Sequence, residues 1–496
     1  MTGAAGLLAD GLWRRASYTA DDLAALEEAC LREAEALGLH PPAVVFHLVP
    51  AEVVYDVSAR GLPGRYSHWR FGQIYEQMKR DHDAGRARIY ELVVNTRPAH
   101  AYLLEGNSLV AQLLVIAHVL GHAVVFERSR YFEPADKGFL TRVRAAADRI
   151  DRYMSEHGRR VVEDFLDDCQ ALATTVPLSQ LGERYVEDEP VDEPRPYDEL
   201  FPEEVAARRR RVEEERARLR RRFPRHPERD VLGFVMQHAR YLEDWQRDVI
   251  GIVREEQRYF APQLTTKLIH EGMAMWTHNA ILQRLRLDSA DFVEYQRLNA
   301  AVAQPHHFQV NPYNLGWLLM REIERIATEP SDEERERWQW AGEVDPVEQL
   351  LAVVEGYDDA ALVAEFVTER VCEEAKLYVW AERQQPHGVA ITSRDVEEVR
   401  AALVRGHVNA GLPVVEIVDA DGSGRGELLL EHRVEGVGLD PEYAKGTLLH
   451  LASLWGNAVE IATLRSADGV AVRYRATPGS ATVAELRQAE PPPSPA

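Results

Sequence analysis

The sequence is poor in cysteine, in basic charge and in the short motifs that announce common cofactors. Three cysteines, Cys30, Cys169 and Cys372, are scattered over 496 residues. An odd number at such spacing excludes a disulfide scaffold and suits a reducing compartment, so a cytoplasmic protein is expected. Basic residues number 58 against 81 acidic ones, a formal charge of −23. A surface this acidic argues against nucleic acid or an anionic membrane as the partner. There is no P-loop, no G-x-G-x-x-G and no G-x-S-x-G, so neither a nucleotide cradle nor a serine nucleophile elbow is expected. The opening MTGAAGLLADGLWRR lacks a basic n-region and has only a short apolar run, so it does not read as a signal peptide.

What the chain does have is length, helix formers and a hydrophobic content of 45%. That length predicts two to four domains. Residues 1–184 read as the N-terminal helical part of a core, with an amphipathic helix over Ala20–Leu37. Val53–Phe71 is interrupted by Gly61, Pro63 and Gly64 and reads as a loop around Tyr66, His68 and Trp69. Tyr90–Asn95 reads as strand-like or extended. Residues 185–230 open on acidic, Pro-rich EDEPVDEPRP, a loop or disordered linker, and continue as an Arg-rich solvated helix. The sharper alternative for that helix is a docking arm for an acidic partner. Residues 231–384 resume the helical core. Residues 385–484 form a small α+β domain, with a helix at Ser393–Arg405, strands PVVEIVDA and ELLLEHRV, a helix at Pro441–Trp455, and strands AVEIATL and VAVRYRA. Residues 485–496, ending in EPPPSPA, are a disordered tail.

Ser108–Phe126 (SLVAQLLVIAHVLGHAVVF) approaches the length of a membrane span. Gln112, His118 and His122 are costly in lipid, and glutamates rather than basic residues flank the run. A helix apolar all round is expected instead at the centre of a large soluble domain.

That helix carries the strongest chemical signal. His118 and His122 are i and i+4, about 6 Å apart on one face, the spacing at which two imidazoles share a metal. The structural alternative is two core histidines, each satisfied by a carbonyl. A second element, His270-Glu271-Gly272-Met273-Ala274-Met275-Trp276-Thr277-His278, places Glu271 and His278 two turns apart on one face. Glu271 is the expected third ligand. His278 is a fourth ligand or an acid–base group, and His270 is expected to point away. A third element, Glu163 to Asp168, offers Glu163 beside Phe165 and Leu166. The residue after the first histidine, the general base of HExxH enzymes, is here Val119. Hydrolysis must therefore recruit its base elsewhere, and Glu163 is the candidate when Glu271 is a ligand. Asp419 to Gly424 resembles the start of a calcium loop, but its twelfth position is Leu430, so a hairpin turn is expected. Asn311-Pro312-Tyr313-Asn314 is a polar loop at a helix start, with Asn314 as its expected cap.

These motifs together resemble the SpoVR (stage V sporulation protein R) family. The matching stretches are Tyr66-Ser-His68-Trp69-Arg-Phe71-Gly72, Tyr90-Glu91-Leu-Val-Val-Asn95, Ile116-Ala-His118-Val-Leu-Gly121-His122, and Tyr259-Phe260-Ala-Pro262-Gln263-Leu-Thr265-Thr266-Lys267 running into Glu271-Gly272-Met-Ala274. His278, Asn311 to Gly316, Gly426-Glu427-Leu428, Glu431-His432 and Leu454-Trp455-Gly456 complete the set. The resemblance implies a bacterial cytoplasmic protein linked to spore-cortex formation or stress response. It further implies gene neighbours that include a PrkA-like serine kinase, and it brings no settled activity. Members usually carry Asn where His270 stands.

The expected fold is mainly α: a large helical domain with a buried zincin-like His/Glu metal site, then a small C-terminal α+β domain. The expected metal ligands are His118, His122 and Glu271, with Glu163 and His278 as acid–base groups. Glu91, His68 and Asn311 surround the site. Zinc is the expected metal and peptide or cell-wall-precursor hydrolysis the expected chemistry. The rivals are a non-catalytic regulatory or scaffold protein with a structural metal or polar core, and a dimetal protein using iron or manganese.

Overall fold

The computed structural model describes residues 18–83, 91–133, 138–178, 198–305, 309–383, 388–421, 424–434, 436, 438–464 and 470–487. The acidic Pro-rich linker 185–197, the N-terminal stretch and the C-terminal tail lie outside these residues. The described chain is mainly helical, with a sheet near its C-terminus. It forms two compact units, 1–152 with 262–410, and 153–261 with 411–496. Each unit is therefore built from two separated stretches of sequence. Residues 153–261, which periodicity alone assigns to the helical core and its linker, cluster with the C-terminal sheet instead.

The first unit is organised around the helix Leu109–Arg128, which begins at Ser108, whose side chain accepts the Ala111 amide. Every residue from Leu109 to Phe126 is buried except Leu114, which is half-buried. The run that is long and apolar enough for a membrane is 94% buried inside the unit, as expected of a core helix. Helices Lys267–Arg284 and Pro312–Thr328 pack on it in series, and glycines set the spacing. A Cβ on Gly121 would stand 2.6 Å from the Ala274 Cα, and one on Gly272 would stand 2.5 Å from the Gly316 oxygen. Backbone therefore lies against backbone at both crossings, which only glycine allows.

Strand β1 (Val44–Val49) runs parallel to β3 (Ala99–Leu104), and β2 (Glu91–Val94) is antiparallel to β3, in the order β1-β3-β2. Of the three, β2 alone matches a strand expected from sequence, Tyr90–Asn95. The helix Trp69–Asp83 has begun by the end of Val53–Phe71, so the loop is residues 61–68 alone. A helix over Ala51–Arg60 precedes it, and Gly61 at φ 75° is that helix's left-handed C-cap, a stop signal at its end rather than a break within. A hairpin of β4 (Val379–Arg383) and β5 (Gly388–Ser393) and the helix Val396–His407 also belong to this unit, not to the C-terminal domain.

The second unit contains a five-stranded sheet ordered β10-β9-β8-β7-β6, formed by Val414–Asp419 (β6), Leu428–Arg433 (β7), Val459–Leu464 (β8), Ala471–Ala476 (β9) and Ala484–Arg487 (β10). β6 and β7 pair antiparallel, with Asp419 ending β6, so the chain after it joins the two strands of a hairpin as expected. β7 and β8 are parallel, and the helix Pro441–Trp455 forms the crossover between them. Asp440 caps that helix, Pro441 opens it and Gly456 at φ 75° ends it. In the same unit the Arg-rich segment is a helix over Pro202–Arg221, with Arg208 paired to Asp198 at 2.6 Å.

Candidate metal centre

His118 and His122 lie one turn apart on a helix whose only other buried polar side chain is Gln112. Their rings meet edge to face with centroids 4.7 Å apart. The Glu271 carboxylate approaches from the neighbouring helix. Its Oε2 is 3.6 Å from His118 Nε2 and 3.8 Å from His122 Nε2. One ligand atom from each of the three lies within 4.8 Å of the others. The sequence-expected ligand trio is thus brought together, and all of it lies within the first unit.

Two further histidines stand behind this trio. His118 Nδ1 is 3.0 Å from His278 Nδ1, and His122 Nδ1 is 3.1 Å from His270 Nδ1. Each front imidazole is thus backed by an imidazole from the Lys267–Arg284 helix. His278 Nε2 faces Asn299 Oδ1 at 2.9 Å. Asn279 Nδ2 stands 3.1 Å from the same His278 nitrogen and offers it a donor, so His278 Nε2 meets an acceptor and a donor at once. A His118 proton on Nδ1 leaves the Nε2 lone pair towards Glu271, the tautomer a metal ligand needs. Asn279, Tyr295 and Asn299 close the network, with the Tyr295 hydroxyl donating to Asn279 Oδ1.

Electrostatics keep these rings neutral. Burial lowers His118 to about 3 and His278 to about 3. It likewise lowers His122 to about 4, reinforced by His118 and opposed by Glu271. His270 is pushed well below the ordinary histidine value, first by burial and then by His122 and His118. The Glu271 carboxyl is raised by burial, against the pull of His122, Lys267 and a hydrogen bond with Tyr313. Neutral imidazoles give a buried carboxylate little charge compensation. Glu271 Oε2 and His270 Nε2 are buried without a hydrogen-bond partner among the described residues. Such a donor set fits a cation: two nitrogens and an oxygen converge, and the carboxylate oxygen that faces them has no other partner.

Other expected site residues fall elsewhere. His278 does not face the ligand atoms but buttresses His118 from behind. His270, expected to point away, buttresses His122 between the rings of Phe126 and Phe132. Glu163 belongs to the second unit, where it pairs with Arg159 at 3.3 Å, and it is not among the grouped ligand atoms. His68 is buried against Phe71 and accepts the Arg70 amide at 3.3 Å. Glu91 opens β2 opposite Leu103. Asn311, not Asn314, caps the Pro312–Thr328 helix by accepting the Tyr313 amide at 3.0 Å, and Asn314 instead donates to the Ala303 carbonyl.

Sequence reading places Tyr313 in a loop that lines the site but gives it no role of its own. Its side chain hydrogen-bonds Glu271, and its ring stacks 6.2 Å from that of His118. The available signal is its place just inside the Asn311-Pro312 helix start.

Comparison with known proteins bears on the whole chain. A family model described as SpoVR like protein matches residues 17–412, and one described as SpoVR-like C-terminal domain matches 413–466. A protein of Escherichia coli (strain K12) named uncharacterized protein YcgB is 26% identical over 434 residues, covering 82% of this chain and 85% of the relative. No solved structure matches.

Proposed function

This chain belongs to the SpoVR family, and on that premise we propose that its helical core is a zincin-like zinc centre, held by His118, His122 and Glu271, that supports hydrolysis of a peptide or cell-wall-precursor bond. One observation carries the reading: a buried carboxylate oxygen without a hydrogen bond faces two neutral imidazole nitrogens at 3.6 and 3.8 Å. Three protein ligands leave a fourth tetrahedral position open, the pattern of catalytic rather than structural zinc. A zinc ion so held would supply Lewis-acid polarisation and acidify a water at that position. The chain's own groups orient and insulate. His278 and His270 fix the ligand rings, and Tyr313 holds the Glu271 carboxylate.

A second reading, a metal or polar core that is structural in a non-catalytic regulatory protein, is favoured by Val119. It stands fully buried where HExxH enzymes carry their base. Elemental analysis of the purified protein separates these. The expected result is one zinc per chain, absent from folded His118→Ala and Glu271→Gln variants. Failure of the wild type to bind added zinc overturns the metal reading. Two iron or manganese ions would favour the dimetal rival. Zinc lost together with the fold in both variants would favour the structural role.

The proposal extends to the cell. The protein acts in spore-cortex formation or stress response, with a PrkA-like serine kinase as partner. A deletion strain complemented by wild type but not by Glu271→Gln is the expected outcome. Equal complementation by the two would remove the site from that role.

A further inference from the structure

We propose that Asp359 is a positioning residue for the metal centre: it clamps the first turn of the helix that carries Glu271 and so sets where that carboxylate stands. The inference rests on the metal reading above.

A helix leaves its first N–H groups without intrahelical acceptors, and a side chain just before the helix usually supplies one. The helix Lys267–Arg284 has no such cap. Its N-cap residue, Thr266, makes no side-chain capping bond, and its hydroxyl donates back to the Pro262 carbonyl at 2.7 Å. The acceptors come instead from 91 residues along the chain. Asp359 Oδ2 accepts the Leu268 amide at 2.8 Å, and Oδ1 accepts the Ile269 amide at 3.2 Å.

Asp359 is not needed to start its own helix, Asp359–Phe366. Asp358 does that, accepting the Ala361 amide at 2.8 Å. Two consecutive aspartates thus serve two different helices. Asp359 is 3% exposed, and its hydrogen-bond partners are backbone amides rather than a basic side chain. A carboxyl group buried on those terms is costly, and both its oxygens are committed to the first amides of another helix.

That geometry bears directly on Glu271. Leu268 and Ile269 lie three and two residues before it. Gly272, the residue after it, is pressed against the Gly316 backbone. Glu271 therefore sits between a clamp at the helix start and a fixed contact one residue beyond. Release of the clamp lets the first turn, 267–270, fray, and Glu271 is the next residue, standing directly on that turn.

The test compares full-length wild type with Asp359→Ala, Asp359→Asn and Asp358→Ala. Zinc affinity is measured by competition with a chromophoric chelator, and ligand geometry by the visible absorption of the cobalt(II) form. Removing a supporting partner of a metal ligand typically costs about 10–100-fold in affinity. Asp359→Ala is expected to weaken zinc binding at least about tenfold and to shift the cobalt spectrum, with the fold retained by circular dichroism. Asp359→Asn keeps one acceptor oxygen, should fold if the alanine variant does not, and is expected to fall in between. Asp358→Ala removes an ordinary cap, so it lowers the melting temperature and leaves zinc affinity and the cobalt spectrum unchanged. Folded Asp359 variants that bind zinc as tightly as wild type, with the same cobalt spectrum, overturn the inference and leave the metal reading intact. A wild type that binds neither metal overturns both.

Discussion

The helices Leu109–Arg128 and Pro202–Arg221 are each 20 residues long and have opposite chemistry. The first holds one charged pair, Glu127 and Arg128, at its very end. The second is mostly Arg and Glu, with an acidic first turn. The same backbone ladder forms in both, the first because its unit surrounds it, the second through strong helix formers and an acidic first turn. The contrast teaches where polar residues carry information. An arginine among arginines is a solvated face. A histidine among leucines and valines costs stability and must be accounted for.

Four measurements would break or sharpen that contrast, beginning with the largest effect. Acid should unfold the metal-free protein through the buried helix. His118, His122 and His278 have folded values of about 3, 4 and 3, below the ordinary 6.5. Below 6.5 the unfolded chain takes up protons that the folded chain refuses. Stability is therefore intact above 6.5 and falls as pH drops towards 4, by up to about 1.4 kcal/mol per pH unit for each ring. Asp359, raised by burial to about 7, and Glu271 oppose this trend, but the histidines outnumber them. Urea midpoints between pH 7.5 and 4.5 read the sign, and a flat profile would mean that the rings are not held neutral.

Next, Gly121→Val forces a side chain into the Ala274 backbone. It should cost about 3 kcal/mol or more and abolish zinc binding, as denaturation and metal analysis would report. Third, zinc at one hundred times its dissociation constant should stabilise the wild type by about 2.7 kcal/mol. A calorimetric scan of Glu271→Gln should show none of that shift. Smallest, Arg209→Ala, Arg210→Ala and Arg211→Ala in the charged helix should each change stability by less than about 0.5 kcal/mol. A large loss there would show that this helix is held by something more than solvent and ion pairs.

Legibility followed the same division. The Pro441–Trp455 helix was readable to the residue, because Asp440, Pro441 and Gly456 are local signals that act on adjacent backbone. His118 and His122 were readable because helical spacing fixes their common face. Glu271 was readable as a partner because it stands two helical turns from His278 in a helix otherwise rich in apolar residues. The strands β1 and β3 were missed because their pairing joins residues more than fifty positions apart. His270 was misjudged because its place on its own helix says nothing of what stands opposite. The role of Asp359, and that of Tyr313 within its loop, were not legible for the same reason: each acts on a helix other than its own.

The glycine crossings have a consequence for ion size. Gly121 lies between the two histidine ligands, and its backbone meets that of Ala274, three residues beyond Glu271. With the backbones already touching, the two helices cannot draw closer around a small ion. The extended contact, continued at Gly272 and Gly316, resists their parting around a large one. The crossing works as a fixed caliper. Differences in ionic radius must be absorbed by rotation of three side chains, two of them held by imidazoles behind. A metal held by this trio would therefore meet a jaw width set by a backbone contact, and glycine is the residue that permits that contact.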